Sequence, residues 1–186
     1  PSLVGVDLVP ARVVAVGASG PAGPERVTID VGSRDGVVTD RAVVAQGGLV
    51  GRVIAVAPWT SDVLVIGGPD LAVGVRVGED GVLGQASGSA IAGASRPDPG
   101  DLSLALVESG SMRIGDAVTT LGSVGGTPYP PGIRVGTVSV LDRVVGRVAQ
   151  TGGLTRSVDP TTLDVVAVVL DGPRSTPRPS ITGGAG

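Results

Sequence analysis

Short segments in which apolar and polar residues alternate fill the chain almost from end to end. The plainest is "AVGVRVGEDGVLGQAS": valine recurs at every second position, Glu79-Asp80-Gly81 interrupts, and a second β-rich arm follows. A period of two puts one face of an extended segment on a core and the other in water. An Asp-Gly pair between two such arms reads as a hairpin turn. The same pattern predicts strands at 11–17, 26–31, 42–45, 49–56, 62–66, 71–77 and 82–86. Further strands are predicted at 102–107, 117–120, 134–141, 154–158 and 163–170. Residues 87–100, small and ending in "RPDPG", read as a connector. Residues 172–186, "GPRSTPRPSITGGAG", have too little apolar surface to bury and are expected to form a disordered tail.

The pattern occurs twice. "TDRAVV" at 39–44 is echoed by "IGDAVT" at 114–119, and "GLVGRVIAV" at 48–56 by "IRVGTVSVL" at 133–141, with Gly51 aligned to Gly136. The glycines of "GGLVGRV" raise the possibility of a phosphate loop, but such a loop hands the anion to the N-terminus of a helix. Here the valine alternation runs straight on as a strand, and the second copy has no basic residue after its glycine. Glycine inside a strand marks a bulge, a bend or a close backbone approach. The expected fold is therefore all-β, two small β-barrels arising from an internal duplication. The expected division is the end of a linker at 1–10, a first barrel at 11–86 and a second at 87–171, with terminal strands free to cross between them.

Composition sharpens this picture by exclusion. Of 186 residues, 41% are hydrophobic but only 1% aromatic, Trp59 and Tyr129 being the whole inventory, so the core must be aliphatic. Valine suits a pleated surface, and 32 glycines and 15 prolines supply punctuation. There is no cysteine, histidine or lysine. That removes disulfides, thiolate chemistry, the commonest metal ligand and general base, Schiff bases, and every His- or Lys-assisted nucleophile. The net charge is −3 and the arginines are scattered, without the basic stripe and stacking aromatics of a nucleic-acid binder. No run of about 20 apolar residues is present, and no signal peptide is visible. The start at Pro1, without methionine, leads to the expectation of an upstream part.

Some residues invite a chemical reading. "TIDVGS" around Asp30 resembles the hydrophobic-Asp-Thr-Gly turn of aspartic proteases, and "LVESGS" places Glu108 at the matching point of the second copy. Two carboxylates meeting across a pseudo-twofold would make an acid/base pair. Valine follows Asp30, however, so the supporting hydroxyl is missing, and acids at strand ends before glycine turns are common. "SRDGVVTD" lacks the ligand spacing of an EF-hand and reads as a turn at Asp35-Gly36. Trp59 in "APWTSD" is expected to be a lid over a barrel end, its N–H finding an acceptor. Tyr129, between Pro128 and Pro130, is expected to be a packed corner.

The order of motifs resembles the MreC family of bacterial cell-shape proteins. "ARVVAVG" resembles its first barrel strand, and "VTIDVGSRDGV" its Ile-Asp-x-Gly-x-x-x-Gly-Val segment. "GLVGRVIAV" with "TSDVLVI", then "GDAVTT", "YPPGIRVGTVSV" and "VDPTTLDVVAVV", follow in the family's order from about 11 to 170. The structural motif positions are Gly48, Gly51, Gly115, Asp116, Pro131, Gly132, Gly136 and Pro160. The chain departs from the family at Thr120-Leu121-Gly122, at "SGPAGPE" and in the small-residue loop 86–101. The resemblance implies a pair of barrels distantly like chymotrypsin-type proteases, with no catalytic, cofactor-binding or metal-binding residues. It implies a non-enzymatic scaffold of the wall-elongation machinery on the extracytoplasmic face of the cytoplasmic membrane. The anchor would be an upstream helix, followed by a dimerising coiled coil. The implied partners are a second copy, a class B penicillin-binding protein and MreD. Two other readings stay open from the residues alone: a secreted β-rich module that binds wall glycan or peptide, and a hydrolase built on Asp30 and Glu108.

Overall fold

The computed structural model of the chain describes residues 6–17, 19–20, 23–95, 98–107, 110–142 and 149–170. The expected tail, Glu108 and the first five residues lie outside them. Regular structure consists of strands and three short 3₁₀ turns, with no α-helix among the described residues. In chain order the strands are β1 (Leu8–Val16), β2 (Ser19–Gly20), β3 (Gly23–Pro24), β4 (Arg26–Ile29), β5 (Ala42–Ala45), β6 (Gly48–Val56) and β7 (Ser61–Val65). They continue as β8 (Ala72–Val77), β9 (Val82–Ser87), β10 (Leu102–Leu106), β11 (Ala117–Thr120), β12 (Arg134–Leu141), β13 (Thr151–Arg156) and β14 (Val165–Val169).

Two closed antiparallel barrels result. The first runs β1-β14-β5-β6-β7-β4 and the second β10-β13-β12-β11-β8-β9, while β2 and β3 form a separate small hairpin. The rings share one plan. Going round from β5 and from β11, the strands β6, β7, β4, β1 and β14 take the places of β12, β13, β10, β9 and β8. The irregularities coincide as well. A bulge separates Val43 from Val44 opposite β6, and another separates Val118 from Thr119 opposite β12. A second pair falls between Val53 and Ala55 and between Val138 and Val140, both two residues beyond the aligned glycines Gly51 and Gly136.

The expected division at 86/87 is corrected by this pairing. β8 and β9 belong to the second barrel, while β14, a terminal strand left free to cross, closes the first by pairing with β1 and β5. Sequence similarity reveals which strands are equivalent, but not which ring receives an end strand. The expected linker 1–10 is corrected too: Leu8, Val9 and Pro10 pair with Val169, Val168 and Ala167 as the start of β1. β13 begins at Thr151, earlier than its predicted start at 154, because "TGG" reads as a turn yet lies in the ladder.

A six-stranded barrel is narrow enough for side chains to fill it. Eleven of the thirteen buried residues of the first barrel's core cluster are valine, with Ile29 and Ala11 completing it. Where one face of a strand meets water the burial alternates, as in β8, with Val73, Val75 and Val77 inside. Where the barrels meet, both faces are covered and the runs become continuous, as at Ala42, Val43 and Val44. Val44, Leu49, Leu64, Ile66 and Val169 of the first barrel join the core cluster of the second. The seam between the barrels is therefore apolar. Arg156 crosses it, donating from Nη1 to the Ile66 carbonyl at 3.0 Å.

Candidate functional surface

The residues that invited a chemical reading do not assemble into a reactive centre. Asp30 is exposed at the end of β4, and its Oδ1 accepts the backbone N–H of Arg12 at 2.6 Å. Its proposed partner Glu108 lies outside the described residues. Asp35 accepts the Gly32 N–H at 2.9 Å and Gly36 follows with φ of +83°, a single closed turn. Among the described residues no group of three acids gathers as a metal site. Ser103 Oγ is fully buried without a hydrogen-bond partner among those residues, enclosed in the second barrel beyond reach of a substrate.

The family-motif positions lie at strand crossings, turns and the seam. A Cβ on Gly51 would stand 1.9 Å from the Leu64 carbonyl oxygen, and one on Gly136 2.3 Å from that of Thr155. Both contacts come from the neighbouring strand at the same point of the repeat. Gly48 faces the second barrel, where a Cβ would meet the Arg134 carbonyl oxygen at 2.1 Å. Gly115 and Asp116 lead into β11, the Asp116 carboxylate accepting the Arg113 N–H at 2.8 Å. Pro131 and Gly132 lead into β12, and Gly132 N–H donates to the Thr120 carbonyl at 2.9 Å. Pro160 is buried at the start of the turn before β14, capped by Asp159, whose side chain accepts from Thr161 N–H at 2.9 Å. The Thr161 hydroxyl, donating to the same oxygen at 2.7 Å, and then that backbone N–H hold the Asp159 carboxyl below the usual carboxylate range.

The two aromatics diverge. Tyr129 is buried, as expected of a corner, and burial pushes its pKa up to about 12 despite the nearby Arg52. Arg156 is held below the ordinary arginine range by its own desolvation, partly offset by Asp101 and Asp159. Trp59 corrects the expectation of a lid: it is 63% exposed, at the tip of the β6–β7 hairpin, with the Arg34 guanidinium 4.3 Å from its ring centroid. Neither Arg34 nor Arg156 stands out in the sequence, because each acquires its neighbours only when distant segments meet. Away from the tip, a cavity of about 710 Å³ lies along β1 and β14, lined by Leu8, Pro10, Val165 and Ala167 together with Asp159 and Asp164.

The fold and these surfaces define a double-barrel β module whose accessible features are exposed patches and this cavity. The chain belongs to the MreC family: the family model described as rod shape-determining protein MreC, barrel core, matches residues 16–170. The cell shape-determining protein MreC of Escherichia coli K12 is 34% identical over 116 residues, 62% of this chain and 29% of that protein's own length. Among solved structures, an MreC from Listeria monocytogenes superposes with a TM-score of 0.77 at 25% identity, over 95% of this chain and 81% of that one. MreC from Pseudomonas aeruginosa gives 0.70 at 23% identity, over 88% and 99%. MreC from Helicobacter pylori, solved in complex with the penicillin-binding protein PBP2, gives 0.64 at 16% identity, over 89% and 98%.

Proposed function

We propose that this chain is the extracytoplasmic barrel region of a cell-shape scaffold that works by binding and not by turnover. In this reading the whole protein is held at the cytoplasmic membrane by an upstream helix and self-associates. It binds a class B penicillin-binding protein and MreD, thereby organising wall synthesis. The family match over residues 16–170 carries the proposal. A relative of the same fold that has been solved with a penicillin-binding protein supports the partner class. Chemistry agrees, since a chain without histidine, cysteine or lysine cannot build a His- or Lys-assisted nucleophile or a thiolate. Recognition would rest on exposed apolar and aromatic patches with a polar surround. Full-length tagged protein is expected to co-isolate the cognate class B penicillin-binding protein from solubilised membranes. Recovery no better than from an untagged strain would contradict the reading.

The second reading, direct binding of wall glycan or peptide, draws on the exposed Trp59. Without further aromatics beside it, the ring lacks the neighbours that a sugar groove ordinarily uses. Titration with muropeptides, followed by Trp59 fluorescence, separates the two.

A further inference from the structure

Trp59 is the largest exposed apolar side chain among the described residues, yet its setting is firmly built. The turn 57–60 joins β6 to β7 and is closed by a 2.8 Å bond from Ala57 N–H to the Thr60 carbonyl. A single 3₁₀ turn, Ser33–Asp35, lies against it. Ser33 N–H donates to the Ala57 carbonyl at 2.9 Å, and Arg34 N–H to the Pro58 carbonyl at 3.2 Å. Gly32 lets the two turns touch: a Cβ there would sit 2.2 Å from the Ala57 carbonyl oxygen and 2.7 Å from that of Pro58. Two segments more than twenty residues apart are thus locked backbone to backbone. What this lock presents to solvent is an indole with a guanidinium stacked on it.

The guanidinium is positioned without being neutralised. Among the described residues the exposed Arg34 has no carboxylate within ion-pair distance, whereas Arg52 pairs with Asp40 at 2.9 Å. Its N–H edge is free to donate while the ring holds its plane. Tryptophan and arginine are the side chains enriched where binding energy concentrates at protein interfaces. Fixing them beforehand removes part of the ordering cost of association. The indole is 63% exposed at the end of its hairpin. The small cavity beside it, about 140 Å³, is lined by residues 55–57 and 60–62 and includes neither Arg34 nor Trp59. Small ligands favour concave sites; a protruding indole–guanidinium pair fits into a partner's surface.

We infer that the Arg34–Trp59 tip is a preformed docking point for a partner protein that offers a carboxylate beside an apolar or aromatic side chain. The carboxylate meets the free edge of the guanidinium, where paired N–H groups match its geometry, and the apolar group covers the open face of the indole. This rests on the scaffold reading above and adds to it a place and a chemistry.

The test is titration of the whole chain against the extracytoplasmic domain of the cognate class B penicillin-binding protein. Trp59→Ala and Arg34→Ala are each expected to weaken binding by about thirtyfold or more, and Arg34→Glu further still, with melting temperature unchanged. Val107→Ala, similarly exposed on the second barrel, is expected to stay within about twofold. Raising salt should weaken the wild type more than Arg34→Ala. Wild-type affinity retained by all three tip variants would overturn the inference and leave the scaffold reading standing. No binding by the wild type would overturn both. A saturable change in Trp59 fluorescence with muropeptides would overturn the assignment to a protein partner.

Discussion

A Cβ on Gly51 or Gly136 would press on a neighbouring strand at 1.9 and 2.3 Å, and in both the obstacle is a main-chain carbonyl that cannot swing aside. Replacing either by alanine should cost about 3–5 kcal/mol in denaturant unfolding, through strain and displaced strands. Gly74→Ala is the contrast, since nothing lies within 3.6 Å of the added methyl; it should be neutral or stabilise by about 0.5 kcal/mol. Equal unfolding midpoints for the three variants would refute this account of the repeat glycines. Tyr129, the sole tyrosine, supplies a second check. Burial raises its pKa from 10.0 to about 12, so the folded chain keeps a proton that the unfolded chain gives up. Stability should be flat below about pH 10 from this group and fall as pH rises toward 12, by roughly 2–3 kcal/mol in all. Tyr129→Phe should abolish that component of the slope. A tyrosinate absorbance titration centred near 10 would contradict it.

At the level of elements, β14 makes the clearest claim. It fills in the first ring the place that β8 fills in the second, though it leaves the second barrel only eight residues earlier, after β13. Removing residues 165–186 should open the first barrel while sparing the second. Amide exchange should then rise across β1, β5 and β6, with β8 to β13 still protected. Uniform protection after the cut would refute the pairing. Most elements were readable from alternation, and β5, β11 and β12 have the predicted limits. What could not be read shares one cause, the dependence on non-local partners. Residues 8–10 count as strand only because β14 arrives beside them, and Pro10 disguises them. Gly152 reads as a turn, although it lies in β13 where a Cβ would meet the Val140 carbonyl oxygen at 2.2 Å. The pairing of Arg34 with Trp59 is invisible until the β6–β7 hairpin folds against the turn at 33–35.

For the whole molecule, the apolar seam and the Arg156 bond across it join two rings filled mainly by aliphatic side chains into one body. The interiors are packed and no group of three acids gathers among the described residues, and the proposed scaffold role places function on the surface. The family match is the ground on which the scaffold proposal rests. The direct measurement is a calorimetric titration of this chain into the extracytoplasmic domain of its cognate class B penicillin-binding protein. The account predicts saturable binding at a defined stoichiometry, with a Kd on the order of micromolar, as for transient assembly contacts. Absence of any binding heat at several temperatures, from a chain that still melts cooperatively, would contradict it.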